Sequence, residues 1–407
     1  MSAASALNAT ILEPELAALA AVAPAAAAER REKMAADPYA FYRGSLAIQV
    51  RHLAAIDGFA GPWVWAVGDA HADNFSTLAV ARTNRARADP ARPDLAGITP
   101  VIYTINDGDE EHPAPWRWDL LRLLASVAVA RGVDDRDRLR PWAKRLALGW
   151  GEVLRRLADG DAVAHALRVY PQDLPKPVHD LIDDALKPKR AAKHLQKYVS
   201  GAALVRDGEH ADDPGCLSFA RNHLAPLLES AWPGTRLRDL TTRPTGGMAS
   251  LGLRRWLALA ATPSGQRIVE LKERRPSRLA ALLTATPFTP QATTAAAPAT
   301  VVLGGDPFHL VLAAPVNPLL VRTRCHARDR VEIDRVPGKY LDDLFRLWGM
   351  LLAGFHWRGL ELIGEATPAV ATSLADACDQ RTAGTLADHA WALVEANREA
   401  HRQFTAR

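Results

Sequence analysis

Val-Gly-Asp-Ala-His-Ala-Asp-Asn-Phe occupies residues 67–75, between a short apolar run at 64–67 and another at 78–80. An apolar run of that length closed by Gly predicts a buried strand, a turn and a hairpin partner. The turn carries Asp69, His71, Asp73 and Asn74. The β-branched run at 101–105 predicts another strand and leads into Asn-Asp-Gly-Asp-Glu at 106–110. Trp-Asp-Leu-Leu-Arg at 118–122 then opens an apolar helix over 119–131. An Asp and an Asn on one loop can divide the work of a phosphoryl transfer: Asp69 faces an acceptor hydroxyl and Asn74 ligates a metal. Asp107, just after a strand, holds the same metal against nucleotide phosphates. Magnesium or manganese suits such a set, because it takes few protein oxygens and fills its other positions with water and phosphate. Asp109 rivals Asp107, since Gly108 lets the loop turn either way.

The chain has 407 residues, enough for two or three lobes with a core each. Hydrophobic residues at 48% and charged residues at 24% are ordinary for a soluble globular protein. A net charge of +4 creates no field that demands nucleic acid. Cys216, Cys325 and Cys378 lie far apart with no metal spacing, and read as reduced core thiols of a cytoplasmic protein. The Ala-rich stretch 16–28 follows Glu13 and Glu15 rather than Lys or Arg and is broken by Pro24, so no secretory signal is expected. No apolar run reaches the length of a membrane span. The expected partners are a nucleotide and a hydroxyl-bearing acceptor, with no nucleic acid or membrane; the oligomeric state stays open.

Periodicity and breaks divide the chain into a helical segment at 1–60, a catalytic domain at 61–240, a β-rich domain at 241–335 and closing helices at 336–407. The catalytic domain is predicted helical from 137 to 240, with breaks at 171–177 and 212–215. Residues 82–94 and 284–300 read as loops. Lys187, Lys189, Arg190, Lys193 and Lys197 read as a solvated helix face. In the β-rich domain strands are predicted at 253–260, 267–273, 319–324 and 330–333. Helices are expected at 340–357 and 368–403.

Lys272 stands among apolar strand residues, and a buried Lys needs a partner or a ligand phosphate. Glu270 and Glu273 flank it, but neighbours on a strand point to opposite faces, and the sequence names no acid for it. The Gly-rich turn 243–252 offers Gly246, Gly247, Ser250 and Gly252 to cover phosphates with backbone N–H groups. Arg43 reaches the site or pairs with an acid. His71 braces its loop, and Asp119 stands where a helix N-cap is expected.

These segments resemble the aminoglycoside phosphotransferase branch of the protein-kinase-like superfamily. Gly68-Asp69-Ala70-His71-Ala72-Asp73-Asn74 fits its His-Gly-Asp-x-His-x-x-Asn, with Val67 in place of the leading His. Asp107 follows the expected strand, and Trp118-Asp119-Leu120 fits its Tyr-Asp-Leu helix. More finely, the chain is similar to the bacterial family called domain of unknown function 2252. That family's Lys-Met-Ala-x-x-Pro-x-x-Phe-x-Arg-Gly stands at 33–44, its Gly-Asp-x-His-x-x-Asn-Phe at 68–75 and its Trp-x-Trp-Asp-Leu-x-Arg-Leu at 116–123. Gly108 replaces the Phe of its Asn-Asp-Phe-Asp-Glu.

The resemblance implies an α+β, two-lobed, protein-kinase-like fold that uses ATP and Mg2+ or Mn2+ to phosphorylate an unknown hydroxyl on a small molecule or protein. Asp69 is then the catalytic carboxylate, and Asp119 supports its loop. In a kinase the Gly-rich loop and phosphate-binding Lys precede the catalytic loop. Here the residues ahead of Asp69 look helical, and the Gly-rich turn and Lys272 come after it. Residues 348–356 resemble the apolar helix ending in Leu-His that precedes the catalytic loop in the phosphotransferases. The expected fold is therefore circularly permuted, with the catalytic-lobe segments ahead of the Gly-rich-loop and Lys lobe, and with extra helices. Two other readings stay open. Val67 and Gly108 fit an inactive nucleotide-binding scaffold, and His71, Asp73, Asp109 and His112 fit a metal-dependent hydrolase. Nucleotidyl transfer is a further variant of the first reading.

Overall fold

The computed structural model describes residues 8–79, 101–161, 174–206, 214–242, 253–263, 265–284, 286–288, 310–312 and 318–406. The predicted loop at 82–94, the Gly-rich turn at 243–252 and most of 284–300 lie outside them. The fold is α+β. A π-helical turn, Asn8–Leu12, leads into α1 (Glu13–Val22), α2 (Pro24–Ala36), α3 (Pro38–Gly44) and α4 (Leu46–Ile56). Asp37 starts α3 by accepting the N–H groups of Tyr39 (3.1 Å) and Ala40 (2.8 Å), with Pro38 in the first turn where no donor is needed.

Two small antiparallel pairs follow. β1 (Trp63–Ala66) pairs with β4 (His112–Pro115), and β2 (Phe75–Ala79) pairs with β3 (Val101–Ile105). Their connections, 67–74 and 106–111, hold the conspicuous acids side by side. Behind them α5 (Arg117–Ala130) and α6 (Leu139–Ala158) pack with α10 (Leu341–Leu362), α11 (Pro368–Ala377) and α12 (Gln380–Thr405). The core there includes Leu120, Leu124, Trp150, Trp348 and Leu393, each fully buried. α6 and α10 cross with their backbones touching. A Cβ on Gly149 would meet the Arg346 carbonyl oxygen at 2.0 Å, and one on Gly349 would meet that of Leu146 at 2.1 Å. Only Gly allows that approach, which brings Trp150 of one helix against His356 of the other.

A second core belongs to a five-stranded antiparallel sheet in the order β10-β11-β9-β8-β7, with β7 (Arg236–Thr242), β8 (Arg255–Thr262), β9 (Gly265–Glu273), β10 (Leu310–Leu312) and β11 (Leu319–Thr323). Side chains alternate across a strand. Trp256, Ala258, Val269 and Leu271 face α9 (Pro214–Ala231) through Leu224 and Leu228. Leu257, Leu259 and Ile268, on the opposite face, meet Leu195 and Tyr198 of α8 (Pro188–Tyr198), which follows α7 (Lys176–Ala185) and leads into the short pair β5 (Val199–Ser200) and β6 (Ala203–Leu204). Towards the end of β9 that face turns polar, with Glu270 opposite Leu257 and Lys272 opposite Arg255.

Several predicted elements differ. Residues 236–242 form a strand where a helix was expected to run to 240, and a bulge between Leu237 and Asp239 breaks the alternation that marks a strand. Residues 330–333 are no strand: Arg330 makes an isolated bridge to Ser76, beside a Thr77 N–H to Asp329 carbonyl bond of 2.8 Å. β4 was not foreseen. The stretch 368–403 is split at Asp379, whose carboxylate accepts the Thr382 N–H (2.9 Å) and starts a new helix. In the basic cluster Lys187 (2.7 Å) and Arg190 pair with Asp184, while Lys193 and Lys197 are exposed. Among the described residues no helix is long and apolar enough to cross a membrane.

Candidate active site

The loop 67–74 is held from below by one stripe of α5. Asp119, Arg122 and Ser126 are spaced so that they share a helix face. The Asp119 carboxylate accepts the backbone N–H groups of Val67 (2.7 Å) and Gly68 (3.0 Å). Arg122 donates from Nε (2.8 Å) and Nη2 to Asp69 Oδ1. Ser126 Oγ accepts the Ala72 N–H at 3.2 Å. Asp119 therefore does not cap its own helix, as its place in the sequence suggested; the residue at the cap is Trp116, which has no capping side chain. Behind Asp119, His356 Nε2 approaches Oδ2 at 2.9 Å, and Trp150 Nε1 donates to His356 Nδ1 at 3.1 Å. Because Nδ1 accepts, the ring proton sits on Nε2 and points at the carboxylate.

Gly68 is required at the bend. Its φ of +79° lies in the left-handed region, and a Cβ there would sit 2.2 Å from the Glu110 carbonyl oxygen. The loop carrying Asp107 and Asp109 thus lies directly over the loop carrying Asp69. Asn74 ties its side-chain N–H to the Asp69 carbonyl (2.7 Å), and its own carbonyl accepts the Asn106 N–H (2.8 Å).

Asp69, Asn74, Asp107 and Asp109 line one cavity of about 450 Å3. Burial pushes the Asp69 carboxyl up against the opposing pull of Arg122. For Asp107 burial pushes the same way, but the combined charges of Lys272, Arg322 and others outweigh it and leave the carboxyl below the usual range. Asp107 Oδ1 and Asp109 Oδ1 are buried with no hydrogen-bond donor. Two carboxylate oxygens facing a cleft without donors fit a magnesium ion, which asks for one or two carboxylates and keeps its remaining positions for water and phosphate.

Lys272 lies above this floor, 4% exposed on β9, and pairs directly with Asp109. Burial pushes its ammonium down to about 8 despite Asp107. The missing acid is therefore in the 106–110 loop. Glu270, on the same strand face as Lys272, is already surrounded by Arg322 (2.9 Å), Arg324 (3.3 Å), Arg328 (3.5 Å) and Arg255 (3.6 Å). Arg322 also donates to the Asn106 carbonyl at 3.3 Å, so the cluster reaches the acidic loop. Burial and repulsion from Arg322 push the Arg328 guanidinium down to about 10.

The remaining predicted residues fall as follows. His71 is 6% exposed, with Nε2 3.7 Å from Asp69 Oδ2, and burial among Arg122 and Arg43 pushes it down to about 3. Its Nδ1 is buried without a partner, so the expected hydrogen-bonded brace is not formed by the ring. Arg43 pairs with Asp73 at 2.5 Å and is not part of the cavity wall, and Arg330 reaches the same carboxylate at 3.1 Å. Asp73 is thereby occupied, and His112 Nε2 faces the Leu283 carbonyl (3.5 Å). Among the described residues no three His, Cys, Asp or Glu side chains converge as a metal cage. Gly246, Gly247 and Ser250 lie outside the described residues.

Sequence reasoning passed over Arg122 and the Glu270 cluster. Arg122 had a usable signal: an Arg in the middle of a run of Leu that forms a buried helix needs an acid.

Residues 22–200 and 217–407 match the family described as an uncharacterized protein conserved in bacteria (DUF2252). The chain belongs to that family. No curated protein and no solved structure matches it.

Proposed function

We propose that this member of the DUF2252 family is an ATP- and magnesium-dependent phosphotransferase with a circularly permuted, kinase-like arrangement. The observation that carries the reading is Asp107. It is a half-buried residue whose carboxylate has one buried oxygen lacking any donor, set in the field of Lys272 and Arg322 and sharing a cavity with Asp69 and Asn74. Lys272 lies on the third strand of the sheet in chain order, and the Gly-rich segment lies between the first and second. A kinase has the same relation between its phosphate-covering loop and its lysine. Five cations, Arg255, Lys272, Arg322, Arg324 and Arg328, stand over three carboxylates, Glu270, Asp107 and Asp109. The surplus suits a polyphosphate.

Asp107 and Asn74 would hold the metal, with Asp109 dividing itself between that task and Lys272. A metal held by these residues would supply charge neutralisation for the transferring phosphoryl group. Asp69 is oriented by Arg122 through Oδ1, which leaves Oδ2 to receive the proton of an acceptor hydroxyl. The acceptor oxygen bonds to the γ-phosphorus, the bridging bond to the β-phosphate breaks, and ADP leaves. The set His71, Asp73, Asp109 and His112 favours a hydrolase less, because arginines occupy Asp73 and His112 faces a backbone carbonyl.

Calorimetry of ATP with and without magnesium, on wild type and Asp107→Asn, tests the reading. Affinity should require the ion and fall sharply in the variant. Unchanged magnesium-dependent affinity in Asp107→Asn sinks it.

A further inference from the structure

One flank of the cavity is built from two sources that sequence motifs did not mark. One is α1, which contributes Glu15, Ala18, Leu19 and Val22 to the wall. The other is the segment that leaves β9, with Arg274, Arg275 and Arg278. α1 is fixed in place. Glu15 pairs with Arg30 (3.3 Å) and Arg278 (3.2 Å), and Leu12 and Leu16 are buried among Met34, Phe41 and Phe404. The helix therefore closes this flank of the cleft, and the volume of about 450 Å3 falls in the range of small-ligand sites rather than of a groove for a folded protein.

The charges on this flank do not balance. Almost every acid of the cavity is already matched. Asp69 has Arg122, Asp109 has Lys272, Glu273 has Arg254, and Glu15 and Glu110 share Arg278. Asp107 is the exception assigned above to the metal. Arg274 and Arg275 line the same cavity, and neither has an ion-pair or side-chain hydrogen-bond partner among the described residues. Arg274 is half-buried, and burial pushes its guanidinium down with only distant relief from Glu111 and Glu110. A guanidinium that is partly desolvated and unmatched is a fork waiting for a carboxylate or phosphate.

We propose that the acceptor is a small hydroxyl compound bearing a phosphate or carboxylate, held by Arg274 and Arg275 with its hydroxyl at Asp69. This rests on the phosphotransferase reading for the fate of the hydroxyl, but not for the binding of the anion.

The test is direct binding, without nucleotide, of a panel of sugar and polyol monophosphates and carboxylates to the full-length protein. Each probe is set against its neutral and amino-substituted counterparts. At least one anionic probe should bind at least tenfold tighter than its neutral counterpart. Arg274→Gln with Arg275→Gln should weaken it by roughly 10–100-fold, the worth of one or two charge-assisted hydrogen bonds. The same variant should keep its affinity for ATP with magnesium. Three results overturn the proposal: no preference for anions anywhere in the panel, undiminished anion binding in the double variant, or an equal loss of ATP affinity, which makes the arginines nucleotide contacts. Anion binding in a protein that never binds ATP keeps this site and removes the phosphotransferase reading instead.

Discussion

Along α5 every buried charge meets a dedicated partner: Arg122 has Asp69, and Asp119 has two backbone N–H groups and His356. Around Glu270 of β9 four guanidinium groups, Arg255 of β8, Arg322 of β11 and Arg324 and Arg328 beyond it, share one carboxylate, and Lys272 leans on the loop opposite. Asp69 and Asp119 are thus held in fixed directions from within the floor, where Asp107 keeps one oxygen without a donor. The roof is satisfied only in part, and its surplus is positive. Position is what a general base needs, and surplus positive charge is what a polyanion needs. The proposed phosphotransferase reading assigns the two halves those separate tasks.

The largest effect should come from the floor. Asp69→Asn is expected to lower turnover by about 10²–10⁴, the range for a positioned acid–base group, with ATP affinity nearly intact. A folded variant that no longer binds ATP would move Asp69 to the nucleotide side and erase the contrast. Next come two stability changes that separate the halves. Arg122→Leu strands Asp69, and Glu270→Gln strands four arginines; each should cost about 3–5 kcal/mol in denaturant unfolding. Added sulfate or phosphate should restore the Glu270 variant and leave the Arg122 variant unimproved. Equal rescue of both would mean that the roof has no special affinity for anions.

Smaller still is the pH effect at Lys272. Its ammonium is held down to about 8, so it is charged below that pH and neutral above it. ATP affinity should therefore fall as pH rises through about 8, by up to about tenfold per unit. Binding near that pH should take up a proton, and Lys272→Met should flatten the profile. The smallest is Ser126→Ala, which removes the acceptor for the Ala72 N–H and should cost roughly 1–2 kcal/mol. Its reach into turnover measures how rigid the floor must be.

What was legible in the sequence was local. β1, the turn after it and β3 stand out because a short apolar run followed by Gly and acids has few alternatives. β9 was readable from its alternation. β7 was lost because its bulge sets Leu237 and Asp239 out of step. Arg330 has strand-like neighbours, yet a strand needs a partner of matching length and Ser76 offers a single bridge. Among the site residues, Asp69, Asn74, Asp107 and Lys272 were visible as types in context. The pairing of Lys272 with Asp109 was not, because a strand far along the chain meets an early loop. Nor were the four arginines on Glu270, which come from three separate segments.

The hydrogen bond from His356 to Asp119 spans 237 positions of chain. At a ribosome's pace of roughly 5–20 residues per second, the imidazole emerges roughly 10–50 s after the carboxylate it supports. Gln49 waits longer still for Asn397, 348 positions on. During that interval the nascent chain carries an acid loop with its backbone clamp half made. A product released before α10 is made therefore lacks the imidazole that backs Asp119. Those two contacts close only when the last helices have been made.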